Sequence, residues 1–342
     1  MPSEPTRTLL RGGTVISVDP ALGDFRGDVL IEGDVIAAVG DLGDVPGAEL
    51  IDVRDHIVFP GFVDGHRHLY QTVLRGLGVE WSLVEYCIGM FGTVGGHLSA
   101  ADVYLGTLLG ALDSVDAGVT GVYDLAHCQV TPEHTDRSLE ALRESGLRTV
   151  FGYGGSSAQW VECLAPPFQS STPMNDAEVR RLRNGPLSDD GVVIGGDMFT
   201  AMRSALVTAR GLPNAERLKA GENPMALRVH PRDVLAFATI EGARALGKAD
   251  VTGSITVGKK ADIVTMTTDD ISVFPVVDPV SAIVYGGSRR AVTNVFIDGR
   301  RRKADGALVG VDTAALHEAA DRAAHDLIER SGIGPSWRPS FA

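Results

Sequence analysis

The stretch whose reading decides the fold is "HIVFPGFVDGHRHLYQ", residues 56–71. An apolar run leads through Asp64-Gly65 into His66-Arg67-His68. On an extended chain, residues i and i+2 point to the same face, so the two imidazoles share one side of the strand. Neutral imidazole is the commonest metal ligand among side chains. Taken alone, an H-x-H pair is also what chance supplies. Here it closes a run that reads as one buried strand and opens the α/β part of the chain, which is where half of a metal site belongs.

Working outward, the middle of the chain alternates. Ser99 and Asp102 form a capping-box-like start to an apolar-periodic helix that stops at Gly118. "VTGVYDLA" (119–126) reads as a second strand. Thr131-Pro132-Glu133 then supplies an N-cap, a proline at the first helical position and an acidic first turn for a helix ending at Gly146. "LRTVFGYGG" (147–155) is a third strand, and "NDAEVRRLRNG" (175–185) a further helix. "GVVIGGDMFTAMRSALVTARG" (191–211) supplies one more strand and helix. Strands alternating with helices imply parallel βα units, whose functional residues sit at the carboxyl ends of the strands. His66 and His68 occupy such an end, and so do Asp124 and His127. The two ends of the chain differ in texture. Residues 1–56 and 250–306 hold short β-rich runs punctuated by Gly and Asp, which predict one composite sheet domain built from both ends. "TAALHEAADRAAHDLIERSG" (313–332) places Leu316, Ala319, Ala320, Ala323, Leu327 and Ile328 on one stripe of a surface helix.

Composition excludes several function classes. The chain has 342 residues, is 44% hydrophobic, and carries 44 acidic against 31 basic residues for a formal charge of −13. Such a balance argues against a nucleic-acid backbone as partner. The basic run Arg300–Lys303 reads as a solvated turn. Three scattered cysteines, Cys87, Cys128 and Cys163, form no C-x-x-C pair and fit a reducing compartment. No apolar stretch is long enough to span a membrane and no signal peptide is read at the start, so a cytoplasmic location is expected. Gly253–Lys260, "GSITVGKK", mimics a phosphate loop, but Lys260 stands where the hydroxyl residue belongs and a strand pattern follows instead of a helix. No G-x-S-x-G elbow occurs. Asp124 and His127 fit either an acid–base or substrate-contacting role, or a strand-end cap and a polar loop filler. His97, His134, His230, His317 and His325 read as structural or solvated.

Together, "LLRGGTVISVD", "VLIEGDVIAAVG", "FPGFVDGHRHLYQTVLRG", "DAGVTGVYD", "ATIEGARALG", "GSITVGKKADIV" and "VTNVFIDGR" resemble the amidohydrolase superfamily. The resemblance is to the branch of cytosine, guanine and 8-oxoguanine deaminases and triazine hydrolases. It implies an α/β fold of the (β/α)8 TIM-barrel type over residues 57–249, a small β-sandwich from 1–56 and 250–306, and a C-terminal helix and tail at 307–342. It also implies one divalent metal, zinc or iron with zinc favoured, with His66 and His68 as its first two ligands. Gln71 matches a position facing the substrate in relatives, and His127 is a second candidate substrate contact. The implied reaction is hydrolytic deamination or dechlorination of a small nitrogen heterocycle by a metal-bound hydroxide, and the implied assembly a homodimer or larger homo-oligomer.

The resemblance is broken internally. The family pattern calls for a third and a fourth His, a Glu that shuttles the proton and an Asp ligand, and past residue 160 no strand pattern ends in a His with a Glu nearby. A β/α barrel takes about 250 residues, whereas 57–249 holds roughly 190 and shows about four strands. The barrel is therefore expected to be incomplete and shortened near 190–196, with catalytic residues beyond the pair unassigned. The competing expectation is a catalytically incomplete homologue kept for binding or assembly.

Overall fold

The computed structural model describes residues 7–154, 198–221 and 227–338. Its strands are β1 (Arg7–Val15), β2 (Phe25–Glu32), β3 (Val35–Gly40), β4 (Glu49–Asp52), β5 (His56–Pro60), β6 (Phe62–Arg67), β7 (Val119–Ala126), β8 (Arg148–Tyr153), β9 (Ile263–Thr267), β10 (Val292–Ile297), β11 (Arg300–Ala304) and β12 (Ala307–Leu308). The apolar run expected as one strand is two. β5 pairs antiparallel with β9, from His56↔Thr267 to Pro60↔Ile263, while β6 lies beside β7 in a different sheet. The break falls at Gly61, where an added Cβ would stand 2.1 Å from the Thr120 side chain. Only a residue without a side chain lets the strand cross that close and change sheets.

Both chain ends enter one nine-stranded sheet, ordered β12-β11-β10-β9-β5-β1-β2-β3 with β4 on β1. β1 pairs antiparallel with β2 and parallel with β4 and β5. Its core is built from apolar side chains of several strands: Leu10, Val15, Val29, Val58 and Ile263 are fully buried, together with Ile36 and Phe296. Each such side chain contributes about 1.5–3 kcal/mol of burial. The phosphate-loop mimic is a structural loop of this unit. β9 follows it, and the Lys259 Nζ donates to the Ala249 and Thr252 carbonyls and to the Ser254 hydroxyl. The basic run at Arg300–Lys303 is corrected as well: it forms β11. Lys303 is 2% exposed, its Nζ donating to the carbonyls of Asp116 (2.8 Å) and Arg289 (3.0 Å) and meeting the Asp116 carboxylate at 2.9 Å. A lysine is buried where its aliphatic stem packs and every ammonium proton finds an acceptor.

The second sheet runs β6-β7-β8 in sequential order, with a helix in each connection, the βαβ arrangement. Helix α1 (Ala100–Asp116) starts as expected: the Ser99 N–H donates to the Asp102 carboxylate at 2.8 Å and the Asp102 N–H to the Ser99 hydroxyl at 3.2 Å. Helix α2 (Pro132–Ser145) follows Thr131 and stops at Gly146, which is left-handed at φ 66°. Helix α3 (Met198–Lys219) continues past the expected end at Gly211. Helix α4 (Thr313–Ser331) is capped by the Asp312 carboxylate, which accepts from Ala314 and Ala315.

The chain divides into two compact units. Among the described residues, one takes 7–65, 114–122 and 198–309, and the other 66–113, 123–154 and 310–338. The second has its own core, in which Tyr70, Val73, Met90, Phe91, Leu98 and Val103 pack with Leu327 of α4 and with Ile333. No described helix is long and apolar enough to cross a membrane. The helix expected at 175–185, the strand expected near 191–195, the shortening near 190–196 and Cys163 lie outside the described residues.

Candidate metal centre

The pair of imidazoles is brought together as its spacing predicts. β6 ends at Arg67, and a 3-10 turn over Leu69–Leu74 begins at once with His68 at its N-cap. The His66 and His68 Nε2 atoms stand 3.3 Å apart, their ring planes at 89° and centroids 5.0 Å apart. Two nitrogens held at 2.0–2.1 Å by one tetrahedral ion would be about 3.3–3.4 Å apart. The spacing fits a shared ion.

The second nitrogen of His68 supports the same reading. Its Nδ1 lies 2.8 Å from the Leu125 carbonyl oxygen, just inside the end of β7. A carbonyl only accepts, so Nδ1 carries the proton and the Nε2 lone pair is left for a cation, the arrangement usual for ligating histidines. Burial keeps these rings neutral. It pushes His66 down to about 4, with the neighbouring His68 adding to the effect, and lowers His68 against the pull of the Leu125 hydrogen bond. His127 is pushed down to about 4, again by burial first and His68 second.

Around the pair, Arg67 forms an ion pair with Asp113 of α1 at 2.5 Å, joining the end of β6 to that helix. Asp124 is fully buried, and one of its carboxylate oxygens accepts the Leu69 N–H at 3.0 Å. Of the roles its position in the sequence left open, the geometry displays the capping one: Asp124 holds the residue that follows His68. Burial pushes its carboxyl up to about 7, opposed by the Leu69 hydrogen bond and the Arg67 charge. His127 lies against His68, ring centroids 4.7 Å apart and planes inclined at 56°. Both ends of the Gln71 amide are engaged: its Nε2 donates to the Tyr70 hydroxyl at 3.1 Å, and the Tyr86 hydroxyl donates to its Oε1 at 2.8 Å.

Sequence reasoning missed Phe91. It sits in a π-helical turn, Cys87–Thr93, with its ring 4.9 Å from that of His127 and 6.0 Å from that of His68. No periodic pattern marks it. His134 is structural as expected, its Nε2 3.0 Å from the Leu98 carbonyl and its Nδ1 2.8 Å from the Thr131 hydroxyl. Among the described residues, no group of three or more His, Cys, Asp and Glu is placed to hold a metal. All nine histidines of the sequence fall within the described residues.

Fold and site define an α/β protein with two neutral imidazoles converging at the carboxyl end of a strand. The model of the amidohydrolase family matches residues 57–195 and 179–302, and the chain belongs to that family. The 5'-deoxyadenosine deaminase of Methanosarcina barkeri is 22% identical over 435 residues, covering 94% of this chain and 98% of that protein. Since 94% of 342 residues is about 320, on the order of 110 positions of that relative have no counterpart here. The 5-methylthioadenosine/S-adenosylhomocysteine deaminase of Pyrococcus furiosus is 36% identical, but over 129 residues, 38% of this chain and 29% of the relative. Among solved structures, a zinc-bound adenosine deaminase from Xanthomonas campestris superposes with a TM-score of 0.70 at 20% identity, covering 96% of this chain and all of that one. A variant of atrazine chlorohydrolase TrzN from Arthrobacter aurescens TC1, complexed with zinc and atraton, gives 0.72 at 18% identity over 93% of this chain and all of that one. These likenesses establish the fold.

Proposed function

We propose that the chain descends from a metal-dependent aminohydrolase acting on a small nitrogen heterocycle, and that it retains half of that enzyme's metal site in His66 and His68. The observation that carries the reading is the 3.3 Å separation of the two Nε2 atoms, with the His68 tautomer set by the Leu125 carbonyl. Relatives named as deaminases of adenosine derivatives and as a chlorohydrolase of a triazine support a planar, nitrogen-rich substrate. Zinc is the favoured ion, since both of those solved structures hold it. When bound, a divalent ion at this position supplies Lewis-acid activation of water. The chain's own residues orient and bury the site. Leu125 aims His68, Asp124 pins the Leu69 backbone, Arg67 and Asp113 anchor the end of β6, and His127 with Phe91 encloses the His68 ring. We place the chain in the cytoplasm and read its barrel as incomplete.

A second reading is favoured by a specific observation. The described residues bring no third ligand to the pair, and about 110 positions of a full-length relative are unmatched. On that reading the chain is a catalytically incomplete homologue that binds without turning over. Metal content per chain, measured by mass spectrometry on purified protein and its His68→Ala variant, decides the first point. About one zinc per chain, lost in the variant, supports the retained half-site; no zinc after reconstitution refutes it. Release of ammonia from 5'-deoxyadenosine, cytosine or guanine, or of chloride from atrazine, then separates the readings. Turnover that survives His66→Ala rules out catalysis at this site.

A further inference from the structure

The wall of the histidine pair is held from the far end of the chain. Beyond α4, Gly332 turns the backbone at φ 67° and Ile333 enters the core fully buried. Four residues on, the Trp337 ring meets that of Trp81, centroids 5.1 Å apart and planes at 62°. Arg338 closes the contact by donating to the Glu80 carboxylate at 3.1 Å, across 258 residues of sequence. Both tryptophans press on one point of the π-helical turn: a Cβ added at Gly89 would lie 2.6 Å from the Trp81 ring and 2.9 Å from that of Trp337. Two residues further along the same turn is Phe91, whose ring abuts those of His127, His68 and Tyr86.

The Cys87–Thr93 turn carries its supporting contact on one side and the histidines on the other. We infer that Trp337 is a positioning residue for the histidine site: the tail Ile333–Arg338 is a strap that sets the Cys87–Thr93 turn and, through Phe91, the packing around His68 and His127. The consequence for metal binding rests on the half-site reading above; the strap itself does not.

The test compares wild type with Trp337→Ala and Trp337→Phe, in the full chain. Amide hydrogen exchange over residues 86–98 is expected to speed up about tenfold or more in Trp337→Ala, while β1–β3 of the other unit exchange as before, and to return toward wild type in Trp337→Phe. The zinc dissociation constant, from competition with a chromophoric chelator, is expected to rise about tenfold in Trp337→Ala, as when a group supporting a ligand is lost. Unchanged exchange at 86–98 overturns the strap. So does an equal rise in β1–β3, which would mark a general loss of stability. Faster exchange at 86–98 with unaltered zinc affinity overturns the positioning role. If wild type takes up no zinc, the half-site reading fails on its own, and the exchange comparison still decides whether Trp337 holds the turn.

Discussion

Replacing Asp124 by Asn removes one of two opposing pH effects on stability. The Asp124 side chain is fully buried, its Oδ1 accepts the Leu69 N–H, and its Oδ2 meets no partner among the described residues. Burial pushes the carboxyl from 3.8 up to about 7. At 1.36 kcal/mol per pH unit, ionising it in the folded state costs on the order of 4 kcal/mol relative to the unfolded chain. Between about pH 4 and 7 the folded protein therefore holds a proton that the unfolded chain has released, and stability falls as pH rises. The buried histidines work the other way. With His66 and His127 pushed down to about 4 and His68 also lowered, the unfolded chain binds more protons below its histidine value of 6.5, so stability falls as pH drops toward 4. The two trends oppose each other in the wild type. An asparagine keeps the acceptor for Leu69 and removes the ionisation; its amide nitrogen stands where the neutral acid carries its proton at Oδ2 and adds one unpaired N–H, costing about 1 kcal/mol. Asp124→Asn is thus expected to lie within about 1–2 kcal/mol of wild type near pH 4.5 and to exceed it above pH 7.5. The assay is urea unfolding followed by circular dichroism, in chelator, from pH 4.5 to 8.5. A stability difference that stays constant across that range refutes the reasoning.

Lys303→Met keeps the stem but strips three acceptors of their partner, the carbonyls of Asp116 and Arg289 and the Asp116 carboxylate. Its expected loss is about 2–4 kcal/mol of unfolding free energy, well above that of an exposed ion pair, and a loss under 1 kcal/mol by denaturant titration would contradict it. Gly61→Ala forces a methyl group against Thr120, with an expected cost of about 1–3 kcal/mol. In a Thr120→Gly background the same substitution should cost little, and an equal loss in both backgrounds would show that the close crossing is not the cause.

Much of the local structure is legible in the sequence. Ser99 and Asp102, and Pro132 and Gly146, mark helix ends through chemistry confined to one turn, and the structure starts and stops its helices there. That His66 and His68 share a side is legible from extended-chain periodicity, while His68 itself lies just past the end of β6 and its ring is fixed by the Leu125 carbonyl of β7. What the sequence by itself determined is this set of local facts: the caps of individual helices, and two imidazoles placed two residues apart at the end of an apolar run. Tertiary structure decided the rest. The close crossing at Thr120 splits the apolar run at Gly61. The acceptors at Asp116 and Arg289 make Lys303 a buried strand residue instead of a solvated one. Tyr70 and Tyr86 occupy both ends of the Gln71 amide, and Trp337 reaches Phe91 through Trp81 and Gly89. Each of these depends on what packs opposite, and for Gly61, Lys303 and Trp337 the partner lies tens to hundreds of residues away. A pattern that repeats every two or every 3.6 residues carries no information about such a partner.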